Sequence, residues 1–149
     1  MFDAFRKMFS VAKPVSGADG ERDMAIAIAA LLVEAAVADD HYAENERALI
    51  DRLLEKEFSV AAADVSSIRA EAERQQKEAV DLYRFIRIAK SLAPAEKVKL
   101  VESLWRIILS DNEKHSWEDM LVRRVCGLLH VDDVDSGLAR QRVQKEIGN

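Results

Sequence analysis

The chain has 149 residues, a formal net charge of −5, 5 glycines and 2 prolines. That length suits one domain with a sizeable core, and 49% apolar with 33% charged residues excludes a disordered chain. Scarce glycine and proline point away from strand-and-turn folds and towards helices, while the acidic balance argues against nucleic acid, whose phosphates need a basic face.

Residues 1–11 carry Phe2, Phe5, Met8 and Phe9 on one helical face, with Asp3, Arg6 and Lys7 elsewhere. This predicts a short amphipathic helix that packs on its own domain or on a second copy, as in a homodimer. A terminal helix rich in phenylalanine also suits a peripheral membrane contact through Phe2, Phe5 and Phe9. Pro14, Gly17 and Gly20 mark a linker, so residues 1–20 read as helix plus linker and 21–149 as the main domain. The longest apolar run, 24–38, is broken by Glu34 and falls short of the roughly 20 residues of a bilayer span. It reads as a core helix from a cap near Asp19, with Ile28, Leu31, Leu32, Ala35 and Ala36 as its apolar stripe.

A third helix follows over about 44–57, with Leu49, Ile50, Leu53 and Leu54 inward. Ser59 looks like the N-cap of a polar, alanine-rich helix reaching Glu78, with Val60, Val65 and Ile68 as its seam. Asp81 can start a fifth helix to about Leu92, with Arg84, Arg87 and Lys90 as a solvated basic stripe. Pro94 fits the first turn of a sixth, which buries Leu100, Leu104, Trp105, Ile107 and Ile108. Ser116 and Asp119 resemble a capping pair for a seventh helix, with Met120, Leu121, Val125 and Leu128 at core spacing. Asp132 and Asp135 open the last, with Leu138, Val143 and Ile147 inward. The fold class is therefore all-α, a single-domain bundle of seven to eight helices.

The bundle contains a repeat. A shift of 72 residues carries Leu32 onto Leu104, Val33 onto Trp105, Ala36 onto Ile108, Leu49 onto Leu121 and Ile50 onto Val122. It also carries Asp39 onto Asp111 and Glu46 onto Glu118, so two acidic loops share one Asp-to-Glu spacing of seven residues. Two units that cannot bury their apolar faces alone should pack together.

Helix capping explains each of these carboxylates separately, because an acidic first turn favours the helix dipole. The shared spacing points further, to a hard-cation site. Ca²⁺ and Mg²⁺ take several oxygen ligands, and Asp39, Glu46, Asp111 and Glu118 would supply four, with Asp40 and Glu44 adding charge. Zinc fits worse: His41, His115 and His130 do not occupy equivalent repeat positions and have no paired spacing. The single cysteine, Cys126, lies among Val125, Leu128 and Leu129 and reads as a buried apolar residue. One cysteine forms no internal disulfide, which is compatible with a reducing, cytoplasmic setting. No phosphate loop, nucleophile elbow or cysteine pair argues for an enzyme.

At the loops the sequence resembles the TerB-like family, named for tellurite-resistance protein B, which includes the N-terminal domain of the DjlA membrane co-chaperone. The matching residues are Ala38, Asp39 and Glu46, then Asp111 and Glu118, and Leu104-Trp105-Arg106-Ile107 looks like an uncharacterised bacterial subgroup. The family's glycine is Asp40 in the first loop and Asn112 in the second, both tolerant of left-handed turns. Over residues 22–146 the resemblance implies an all-helical module that binds a cation or a protein partner in a stress response. A membrane-peripheral adaptor or co-chaperone-like module using the N-terminal helix is the alternative.

Overall fold

In the computed structural model, residues 17–37, 42–110 and 116–148 are described, with side chains at all of them except 17–19 and 116–119. Among these residues the secondary structure is seven helices. They are α1 (Gly17–Val37), α2 (Glu44–Phe58), α3 (Ala62–Glu78), α4 (Tyr83–Ala89), α5 (Pro94–Leu109), α6 (Ser116–Leu129) and α7 (Asp133–Gly148).

α1 is the axis of the bundle. Residues 24–33 are all buried, which exceeds the stripe expected from the sequence and covers the whole helix circumference. α2, α3, α4 and α5 pack around it. Its alanines, Ala25, Ala27, Ala29 and Ala30, are buried and short enough to let those neighbours approach closely.

The repeat is visible in the helix bounds. α1 ends at Val37 and α5 at Leu109, 72 residues on; α2 begins at Glu44 and α6 at Ser116, again 72 on. The next step is one residue shorter. Val65, Ile68 and Ala72 of α3 are buried, as are Ser136, Ala139 and Val143 of α7, each 71 residues on. α3 packs on α1 as α7 packs on α5.

α2 and α6 stop in the same way. Ser59 (φ 55°) and His130 (φ 62°) adopt the left-handed conformation that closes a helix. The Val60 N–H donates to the Leu54 carbonyl at 3.0 Å, and the Val131 N–H to the Cys126 carbonyl at 2.9 Å. Ser59 is therefore the end of α2, not the N-cap of α3; that place is taken by Ala61, in extended conformation.

α4 is shorter than the sequence suggests. The Asp81 carboxylate accepts the Tyr83 N–H at 2.9 Å, so Asp81 shapes the start of the helix from outside it. At the other end Pro94 crowds Ala93 out of the helical region, to ψ 152°, and the chain has to leave the helix before it. In α7, Leu138 and Ile147 are 47% and 49% exposed rather than inward, and in α6 Met120 is 68% exposed. Val143 is buried as expected, and the other buried residues of α7 are Ser136 and Ala139. Trp105 donates its indole N–H to the Ser136 hydroxyl at 3.2 Å, which satisfies a polar group in the core.

Candidate functional site

Of the acidic residues expected to form a site, Asp39, Asp40 and Asp111 lie outside the described residues, as does the side chain of Glu118. His41, His115 and the phenylalanines Phe2, Phe5 and Phe9 also lie outside them. The described part of the first loop is its exit into α2. Ala43 is extended (φ −93°, ψ 170°) and offers no side-chain acceptor. One carboxylate oxygen of Glu46 accepts the Ala43 N–H at 3.2 Å, half of a capping box. Glu44 is exposed and lies 3.7 Å from the Arg47 guanidinium.

Tyr42, missed in the sequence, fastens this exit to α3. Its hydroxyl donates to Glu73, and the Arg47 guanidinium sits 5.0 Å from the centre of its ring. Glu73 also receives Arg47 at 3.2 Å and Arg69 at 3.3 Å, and Arg69 holds Asp51 at 2.7 Å. Burial, and then the hydrogen bond to the Glu73 carboxylate, push the Tyr42 hydroxyl well above the usual phenol range. The Arg69–Glu73 pair has visible helical spacing, but nothing local links Tyr42 to a partner 31 residues away.

Beside this end of the bundle lies a depression of about 690 Å³, whose lining includes Glu34, Gln76, Val80, Phe85, Met120 and Arg124. It joins the C-terminal part of α1, the α3–α4 connection and the N-terminal part of α6. Gln76 donates to the Glu34 carboxylate at 2.6 Å across it. Val80 on its rim is fully exposed.

Among the described residues no group of three or more His, Cys, Asp or Glu side chains is arranged to hold a metal ion. Cys126 is buried, and that burial is the main cause that raises its thiol pKa, so it is not an activated nucleophile. No helix among the described residues is long and apolar enough to cross a membrane.

Compared with known families, residues 25–141 match the model described as "Tellurite resistance protein TerB". Neither the curated proteins nor the solved structures give a match.

Proposed function

The chain belongs to the TerB family, and on that footing we propose that it is a non-catalytic binding domain that takes a divalent cation between its two acidic loops. Asp39, Glu46, Asp111 and Glu118 are the oxygen donors in this reading, and Asp40 and Glu44 raise the local negative charge. The chemistry asks for a hard cation, Ca²⁺ or Mg²⁺, because every donor is a carboxylate.

One observation carries the reading. Glu34 and Met120 line the same depression. The first loop leaves α1 at Val37, three residues past Glu34, and the second enters α6 at Ser116, four residues before Met120. At about 1.5 Å of rise per residue, each loop joins its helix within about 6 Å of a lining residue along the axis. The helices that carry both loops therefore flank one region. Glu46 caps α2 through one carboxylate oxygen and, in this reading, also belongs to the donor set.

The test is thermal unfolding of the full chain, stripped with chelator and titrated with Ca²⁺, Mg²⁺ or Mn²⁺. A ligand of the folded state stabilises by mass action, about 2.7 kcal/mol at a hundredfold excess over Kd. For a chain of this size that is a rise in Tm of roughly 5–10 °C. Asp39→Asn with Asp111→Asn should abolish the rise and leave the Tm in chelator unchanged. No rise with any ion at millimolar levels, or the same rise in the double variant, removes the cation reading.

Val80 and Met120 favour a second reading, a partner protein docking on the depression, since both are exposed apolar side chains on its lining. It separates from the first because Val80→Asp would weaken partner capture without altering an ion-dependent Tm.

A further inference from the structure

Most of the bundle holds its arginines with carboxylates, as Arg47, Arg69, Arg74, Arg106 and Arg142 show. α4 has none to offer, because no acidic residue stands between Asp81 and Glu96. Arg84, Arg87 and Lys90 recur there at intervals of three, exposed and without an ion pair among the described residues. That spacing puts them on one side of the helix together with Tyr83, which is exposed as well. Arg87 and Lys90 lie 5.3 and 5.7 Å from the centre of the Tyr83 ring.

Exposed apolar side chains stand beside this stripe. Val80, in the short connection between α3 and α4, is fully exposed, and so in large part is Met120 of α6. Both line the depression that α4 borders through Leu82 and Phe85. Lys77 and Arg124 line it too, exposed and again without an ion pair among the described residues. The carboxylates of that lining are Glu34, which accepts Gln76, and Asp81, which accepts the Tyr83 N–H. Glu78, next to Lys77, is held by Arg74 at 2.9 Å. Lys77, Arg84, Arg87, Lys90 and Arg124 thus outnumber Glu34 and Asp81 on one edge of a chain whose net charge is −5.

We propose that this edge rests on an anionic lipid surface, with Val80 and Tyr83 entering the headgroup region and the cations meeting the lipid phosphates. Cations draw a protein to such a surface, and apolar side chains on the same edge hold it there. Tyrosine suits that depth, with an apolar ring and a polar tip, and long cationic side chains keep their heads at the level of the phosphates. An acidic protein segment would answer the same charges. The full exposure of Val80 favours lipid, because a side chain that stands clear of the surface enters a soft phase without needing a matching pocket. This contact is independent of the cation reading, and it differs from the one expected of Phe2, Phe5 and Phe9.

The experiment is sedimentation of the full chain with vesicles of phosphatidylglycerol and phosphatidylcholine, against phosphatidylcholine alone, all in chelator. Chelator keeps any metal bridge between loop carboxylates and lipid out of the result. Expected is binding to the anionic vesicles alone, lost at about 0.5 M salt. Each cation removed should weaken binding about fivefold, so Arg84→Gln with Arg87→Gln should weaken it about 25-fold with little change in Tm. Val80→Ser should weaken it as well, while Arg52→Gln, at an exposed cation of α2, leaves it unchanged. Parent-like binding by the Arg84 and Arg87 double variant, or binding that vanishes only with Phe2→Ser, Phe5→Ser and Phe9→Ser, overturns the proposal. So does binding to polyglutamate with none to the anionic vesicles, which assigns the edge to an acidic protein segment.

Discussion

Tyr42 acts where the first acidic loop meets the bundle. Its phenol ends on Glu73 and its ring lies under Arg47, so two paired side chains, one from α2 and one from α3, fix one residue of the loop exit. Tyr42→Phe removes the hydroxyl and leaves Glu73 with its two arginines. The loss is that of one hydrogen bond to a charged acceptor that keeps other partners, about 1–1.5 kcal/mol in urea unfolding at pH 7. The sign of the pH dependence follows from the raised pKa of this hydroxyl. The unfolded chain releases the phenol proton near pH 10, as a free tyrosine does, and the folded chain releases it at higher pH. The stabilisation from Tyr42 is complete below about pH 10 and declines as pH rises through the folded value. The parent and Tyr42→Phe should therefore differ most at neutral pH and converge in alkali. A difference that stays constant to pH 11 would make the hydroxyl irrelevant and leave only a packing effect.

Arg106 performs the equivalent task between elements. It stands on α5 and reaches Glu57 of α2 at 2.9 Å, Glu102 of its own helix at 2.8 Å and Glu146 of α7 at 2.9 Å. Its hydrogen bond to Glu146 is the largest of the effects that raise its own pKa, and the same contact pulls the Glu146 carboxyl below the usual carboxylate range. Arg106→Met fills the volume but leaves Glu57 and Glu102, both half-buried, close together; of the two, Glu102 keeps Arg142 at 2.8 Å. The expected cost at pH 7 is about 2–4 kcal/mol, with little of it from the exposed Glu146. A carboxylate with a lowered folded pKa stabilises above its unfolded value, near 4.3, and loses that contribution as pH falls through the folded one. The share of the Arg106→Met penalty that Glu146 carries should therefore fade below about pH 4. An equal penalty at pH 7 and pH 3.5, by chemical denaturation, would leave the Arg106–Glu146 pair with no part in it. Element boundaries were legible in the sequence where one residue forces them, as Pro94 does. They were misread where two signals compete: Ser59 has the chemistry of an N-cap and the conformation of a C-cap, and only the Leu54 carbonyl decides between them. Leu138 and Ile147 were assigned inward on hydrophobicity, yet the buried face of α7 runs through Ser136, Ala139 and Val143 and leaves both of them about half exposed.

At the scale of the molecule the duplication was legible because apolar positions and acidic loops recur at one offset. The depression was not, since its walls come from helices far apart in the chain and the lining has no period. The same architecture fixes how the protein unfolds. α1 belongs to the first half but is packed by α5 of the second, and residues 24–33 are covered on every face. Neither half can separate without exposing that helix to water. A chain of 149 residues with one such core should unfold in a single transition. Leu32 and Leu104 occupy equivalent positions in the two halves, and both are fully buried. Replacing either by alanine removes apolar contacts and leaves a cavity, at a cost of about 3–5 kcal/mol. Because the core is shared, Leu32→Ala and Leu104→Ala should each lower the midpoint of the whole transition, with far-UV circular dichroism and tryptophan fluorescence still coincident. Both tryptophans, Trp105 and Trp117, lie in the second half, so fluorescence reports on that half alone. If Leu32→Ala lowered the circular-dichroism midpoint while fluorescence stayed at the parent value, the halves would be unfolding separately, and the shared core around α1 would not govern stability.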